Sequence, residues 1–337
     1  MSELKQSFKL SYGPHVRYKG GLSTSQIMWR VNISLMPALL WSVFIFGINP
    51  FLVTLASVIG ALLGEYLICK GTKKPSTLGD GSATCTGILL AFTLPPGIPF
   101  YMPLVGAFLG IILTKGLFGG LGHNIFNVAL IGRAILMASF PVAMTTLWTK
   151  PRLLGIMNFD GATMATPLAI LKKDGVNAAV SMLATIDDAA LGGGSYIMKL
   201  VLGLRPGCIG EVSVVLILIG AAYLLYKRII KLTIPLSVIA GAAIMGIFSG
   251  SPLIQIFGGG LWLGAFFMAT DYVTSPATFK GQIVFGLGIG LLTGLIRNFG
   301  GYPEGVCYAI LLMNIMTPAL NEWFQPRKFS ERAVIHE

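Results

Sequence analysis

Three stretches of this chain run without charge for longer than one helix can use. Gly81–Thr114 and Leu232–Thr270 contain no Asp, Glu, Lys or Arg, and Asn32–Cys69 contains only Glu65. A membrane-crossing helix needs about 20 apolar residues, so each stretch has room for two crossings. The runs are continuously apolar rather than alternating, which favours helices over barrel strands. Only 11% of the 337 residues are charged, against about 25% in a soluble domain. The expected class is therefore an all-α polytopic membrane protein.

The pattern divides into about ten transmembrane helices, several of them short or broken by Gly and Pro, as is tolerated where backbone is buried in protein or lines a cavity. The first two run near Asn32–Gly47 and Pro50–Cys69, and the next two near Gly81–Leu94 and Ile98–Lys115, split at Pro95-Pro96-Gly97. A fifth covers Gly122–Phe140. After a long polar segment come Cys208–Tyr226, Leu232–Phe248 and Ile254–Thr270, the last followed by Asp271 and the Ser275-Pro276 break. Gly281–Ile296 and Gly305–Leu320 complete the set. This gives a terminal segment 1–31, five helices in 32–140, a polar segment 141–207, five helices in 208–320 and a tail 321–337.

The net charge of +11 does not point to nucleic acid, because the basic residues flank apolar runs. Lys70, Lys73, Lys74, Lys115, Lys227, Arg228, Lys231, Lys280, Arg327, Lys328 and Arg332 fall on one side when the N-terminus is inside, as the positive-inside rule demands. Both termini are then expected in the cytoplasm, and 141–207 on the outer face. The basic start shows no short apolar core with a cleavage site, so no signal peptide is expected. Cys69, Cys85, Cys208 and Cys307 are scattered, with no CxxC and no complete zinc or iron–sulfur motif. Three histidines, two of them in the tails, argue against a bis-histidine haem.

Gly119–Asn127 resembles Gly300–Tyr308, each following one apolar run and opening another. Two halves of five crossings have an odd number each, so they are expected to be inverted repeats, an architecture in which broken helices meet near the midplane. Within the polar segment, Asp160-Gly161-Ala162-Thr163-Met164-Ala165-Thr166-Pro167 has two readings. It is either a Gly/Thr turn opening a helix at Pro167, where proline favours the first turn, or a threonine attachment site for a phosphoryl-linked cofactor.

That segment, with Leu89–Pro96, Gly120–Asn127, Met268–Pro276 and Tyr302–Val306, resembles the membrane flavoprotein family that contains the RnfD protein of Rnf complexes and the NqrB protein of the sodium-pumping quinone reductase. The resemblance covers nearly the whole chain. It implies two inverted five-helix repeats like those of urea and ammonium channels, and a bacterial inner-membrane location. It implies FMN joined through its phosphate to Thr166 by a flavin transferase, with Asp160 opening the motif and Thr163 as the competing acceptor. Met164 stands where the family pattern usually has glycine. The family also holds a second flavin, non-covalent riboflavin, within the membrane. Its partners would be the other membrane and peripheral subunits of a Rnf-type complex, including a second flavinylated subunit and iron–sulfur subunits, and its cargo Na+ or H+. No GxGxxG fingerprint is present, so NAD chemistry would belong to a partner.

Glu65 and Asp271 are acids placed in or at the ends of apolar runs, where an ionisable group marks an ion path or a ligand contact by default. For Glu65 the alternative is pairing with Lys70 and its neighbours. Asn124 and Asn127 have amides suited to a flavin edge, or, for Asn124, to capping the fifth helix. Arg133 and Glu304 are expected to find partners within the fold. The rival to an electron carrier is a secondary transporter or channel for a small solute, which the inverted repeat fits but the Asp160–Thr166 segment does not explain.

Overall fold

A computed structural model describes residues 22–73, 76–120, 122–151, 163–185, 196–211 and 213–325. The described residues are helical, apart from connecting turns and one isolated antiparallel bridge between Thr149 and Thr163. In chain order the helices are α1 (Thr24–Phe46), α2 (Asn49–Thr72), α3 (Ser82–Phe92), α4 (Tyr101–Ile111), α5 (Val128–Ser139), α6 (Pro141–Thr146) and α7 (Pro167–Thr185). They continue as α8 (Tyr196–Leu202), α9 (Val214–Tyr226), α10 (Thr233–Phe248), α11 (Pro252–Phe257), α12 (Leu261–Leu263), α13 (Phe279–Phe299) and α14 (Val306–Trp323). Two π turns extend short helices, Ile112–Gly116 after α4 and Gly264–Met268 after α12.

Three helices, α1, α2 and α13, are long and apolar enough to cross a membrane. Five shorter apolar helices accompany them: Ser82–Phe92, Tyr101–Gly116, Val128–Ser139, Val214–Tyr226 and Thr233–Phe248. Length alone therefore does not yield ten full crossings. The shortfall comes from the breaks: α3 stops before Pro95-Pro96, and Gly258-Gly259-Gly260 separates α11 from α12. The chain is an all-helical, multi-pass membrane protein.

Local signals place the helix ends. Ser23 Oγ accepts from Gln26 N, and the Gln26 side chain accepts from Ser23 N, a capping box. This cap starts α1 at Thr24, earlier than the apolar run begins, so two turns carrying Gln26 and Arg30 precede the membrane-like part. Lys73, in the left-handed region at φ 52°, closes α2.

Packing relies on bare backbone. A Cβ on Gly241 would stand 2.6 Å from the Leu287 carbonyl oxygen, and one on Gly60 would overlap the Leu104 carbonyl. These glycines let α10 meet α13 and α2 meet α4 closely, the usual solution where lipid removes the hydrophobic drive between helices. Phe92, Leu94, Phe285 and Ile310 are buried in the shared core, while Leu40, Ile247, Phe248 and Phe299 face outward. So many exposed large apolar side chains fit a lipid-facing perimeter and not a soluble one.

The described part of the polar segment 141–207, expected as a loop, is largely helical. It contains α6, α7 and α8, and Gly175, at φ 85°, kinks α7. Leu168, Ala179, Leu183 and Leu200 join Ile254 of α11 in a small core of their own. This docks α7 and α8 on one end of the bundle.

Candidate functional site

The two π turns, the start of α3 and the segment before α5 surround a cleft. It encloses about 780 Å³, part of it open to the surface, and Ser82, Lys115, Asn124, Asn127 and Asp271 line it. One wall is an ion pair. Lys115 Nζ lies 2.8 Å from Glu65 Oε2, and the two side chains are only 3% and 7% exposed. The same Nζ donates to Ser82 Oγ at 2.8 Å, and Thr77 Oγ1 donates to Glu65 Oε1 at 2.5 Å. The partner of Glu65 is thus Lys115, fifty residues on, and not Lys70. Lys115 sits in the π turn after α4, an irregularity common at functional sites.

Asp271 follows the second π turn and is half-buried. Among the described residues its oxygens accept only from Val273 N and Thr274 Oγ1, both at 3.4 Å. These are long contacts, so its carboxylate retains acceptor capacity toward the cleft. Thr317 Oγ1 donates to Thr274 O at 2.8 Å, tying the segment to α14.

The two asparagines differ. Asn127 caps α5: its Oδ1 accepts from Ala129 N at 3.1 Å and Leu130 N at 3.4 Å, and its Nδ2 donates to Met268 O at 3.2 Å. Asn124, the residue expected as the cap, instead donates through Nδ2 to Phe126 O at 2.9 Å, and its buried Oδ1 has no partner. The cap fell to Asn127 because it directly precedes the helix and is extended, at φ −64° and ψ 123°.

Thr166 is 4% exposed. It caps α7, its Oγ1 accepting from Ala169 N at 3.2 Å, with Pro167 as the first helical residue. Thr163 is exposed and bridges to Thr149, and Met164 N donates to Trp148 O at 3.0 Å. Asp160 lies outside the described residues.

At the α7 end of the bundle is a second charged cluster. Arg133 of α5 pairs with Glu304, their side chains 8% and 9% exposed, so these two residues partner each other. Cys208 Sγ donates to Thr93 O at 3.1 Å and lies 3.8 Å from both Glu304 oxygens. Arg205 Nη2 donates to Glu211 O at 3.1 Å. Arg297 donates to Gln255 O at 2.5 Å and Gly258 O at 3.0 Å. Glu211, Arg205 and Arg297 were not singled out from sequence. Their one signal is position: Arg205 and Glu211 just precede the apolar run of α9, and Arg297 ends that of α13.

The described residues thus form a membrane bundle of short, interrupted helices holding two buried ion pairs. The chain belongs to the NQR2, RnfD, RnfE family, whose pattern matches residues 9–330. It is 48% identical over 336 residues to the D component of the proton-translocating ferredoxin:NAD(+) oxidoreductase complex of Clostridium ljungdahlii, covering 97% of this chain and 98% of that one. It is 42% identical over 328 residues to the D component of the Na(+)-translocating ferredoxin:NAD(+) oxidoreductase complex of Acetobacterium woodii, covering 97% and 96%. The D component of an ion-translocating oxidoreductase complex of Shewanella denitrificans is 32% identical over 365 residues, covering 97% and 99%.

Proposed function

We propose that this chain is the D-type membrane component of an ion-translocating ferredoxin:NAD+ oxidoreductase, relaying electrons while Na+ or H+ crosses the membrane. The observation that carries this reading is the end-to-end likeness to two proteins so named, at 48% and 42% identity. The word enzyme then describes the assembly, and the NAD chemistry belongs to other subunits. In this reading the termini are cytoplasmic, α7 lies on the outer face, and the halves 32–140 and 208–320 are inverted repeats. One parallel supports the repeat. Lys115 follows α4 and donates to Ser82 at the start of α3, while Arg297 ends α13 and donates to Gln255 in α11.

Thr166 is the proposed attachment point of FMN, with Thr163 as its competitor. Such a flavin carries one or two electrons. Thr166 begins a helix, where free N–H groups and the helix dipole favour a phosphoryl group. Its hydroxyl is buried and occupied as a cap, so modification would precede the docking of α7 or open its first turn. In the cleft, Asn124 Oδ1 is a free acceptor for the ring N–H of a second flavin, while the Asn127 amide is already committed to Met268 and to capping. Asp271, open to the same cleft, is the proposed ion-handling carboxylate.

Peptide mass spectrometry of the protein from its native membrane tests the flavin assignment. An FMN-sized increment on the Thr166 peptide, absent in Thr166→Val, is expected. An unmodified peptide from a host that flavinylates other proteins would discard the electron-carrier role and leave a solute transporter.

A further inference from the structure

The cluster at the α7 end holds an acid that the proposed function does not use. Glu211, in a 3-10 turn before α9, is 4% exposed, and its Oε1 has no hydrogen-bond partner among the described residues. It lines a small, partly open pocket of about 340 Å³ together with Thr93, Leu130, Arg133, Glu304 and Cys307. Carboxylate oxygens of Glu211 and Glu304 and the Cys208 sulfur lie within 4.8 Å of one another. Glycines leave the acid room on both sides: a Cβ on Gly207 would stand 2.9 Å from Glu211 Oε2, and one on Gly260 3.4 Å from Oε1.

Two carboxylates this close cannot both ionise freely in a dry interior. The arginines do not remove the conflict evenly. Arg133 is spent on Glu304. Arg205 and Arg297 direct N–H groups at the carbonyls of Glu211, Gln255 and Gly258, and neither forms an ion pair with a described acid within 4.0 Å. Their charge still favours an anion from a distance, while burial and the Glu304 carboxylate favour the acid. Cys208 and Cys307, whose thiol donates to Leu130 O at 3.5 Å, complete the titratable groups around the pair among the described residues. A metal ion suits the site poorly despite the three ligand-like atoms, since three arginines already surround two acids.

We propose that Glu211 and Glu304 form a buried one-proton site. Arg133 holds Glu304 as the carboxylate, and Glu211 takes up and releases the proton. Binding adds one proton to a Glu211 oxygen, and no electron moves. The pair titrates as a unit. This inference does not depend on the flavin assignment.

The test is infrared spectroscopy of the full chain in lipid nanodiscs, with the glutamate side-chain carboxyls labelled with carbon-13 so that Asp271 does not contribute. An unperturbed glutamate has ionised by about pH 6. A labelled protonated-carboxyl band that persists above that pH and titrates away reversibly is expected. It should be lost in Glu211→Gln and should shift to lower pH in Glu304→Gln, which removes a neighbouring anion and frees Arg133. Its absence from the wild-type chain above pH 6 overturns the proposal without any variant. So does its survival in Glu211→Gln, which would assign the band to another glutamate.

Discussion

The two ends of the bundle bury charge in opposite ways. At the cleft end one cation meets one anion, and hydroxyls fill the remaining valences: Lys115 holds Glu65 and Ser82, and Thr77 holds Glu65. At the α7 end three arginines surround two carboxylates, and Glu211 Oε1, two Arg205 nitrogens and Arg297 Nε have no partner. Along α3 the two clusters lie 11 residues apart, from Ser82, which Lys115 holds, to Thr93, whose carbonyl Cys208 holds, which at about 1.5 Å rise per residue is about 16 Å. A closed one-to-one pair is a structural fastener. A cluster with spare donors and a spare acceptor can change its protonation without unfolding. The cleft end keeps its own adjustable acid apart from its fastener, in Asp271.

The sharpest way to break this comparison is to remove one cation at each end. Lys115→Met leaves Glu65 buried without its counter-ion and should cost roughly 3–5 kcal/mol. Lys115→Met with Glu65→Gln should recover most of that, because the stranded charge goes with its partner. Thermal unfolding in detergent measures both. Arg133→Met should cost less, roughly 1–3 kcal/mol, since Arg205 and Arg297 remain near Glu304. If Arg133→Met proves the more damaging, the α7 end is the fastener and the contrast is reversed.

A smaller effect separates the two threonines. Thr166→Ala removes the cap that Ala169 N uses and should weaken the first turn of α7 by about 1 kcal/mol. Thr163→Ala loses only an exposed hydroxyl and should stay within about 0.5 kcal/mol. Hydrogen exchange at Ala169 reads the difference. Equal protection in both variants would mean that Thr166 does not hold the helix start.

Sequence showed what charge-free runs and breaks can show. The membrane class, the helix break at Pro95-Pro96 and the odd position of Asp271 follow from composition and punctuation alone, whereas Ile254–Thr270, expected as one helix, breaks at Gly258–Gly260. Pairing was less legible. Glu65 finds Lys115 and not Lys70, because a π turn and the α2–α4 packing bring distant residues together, and neither is written in local spacing. The α5 cap moved from Asn124 to Asn127 because two asparagines three apart offer the same chemistry and only backbone conformation chooses between them. The helix start at Pro167 was legible from its proline, but the other helices of 141–207 were not, and the apolar positions of α7 and α8 face a small core shared with Ile254. The Glu211 cluster escaped because its members come from five separate parts of the chain.

Asp271→Asn should have the smallest effect on stability and the most telling effect on function. The carboxylate makes two 3.4 Å contacts and no ion pair with a described residue, and asparagine keeps the size and one acceptor oxygen. The change in stability should stay within about 0.5 kcal/mol. If Asp271 is the adjustable acid of the cleft end, the folded complex carrying the variant should transfer electrons but lose ion movement. Vesicles of the native complex, assayed in parallel for electron transfer and for Na+ or H+ uptake, give both numbers. Unchanged coupling would remove Asp271 from the mechanism and leave the acid pair at the α7 end as the place to look for the moving charge. Lost coupling with unchanged stability would mean that each end of the bundle separates its fastener from its working acid, by distance at the cleft and by a shared proton beneath α7.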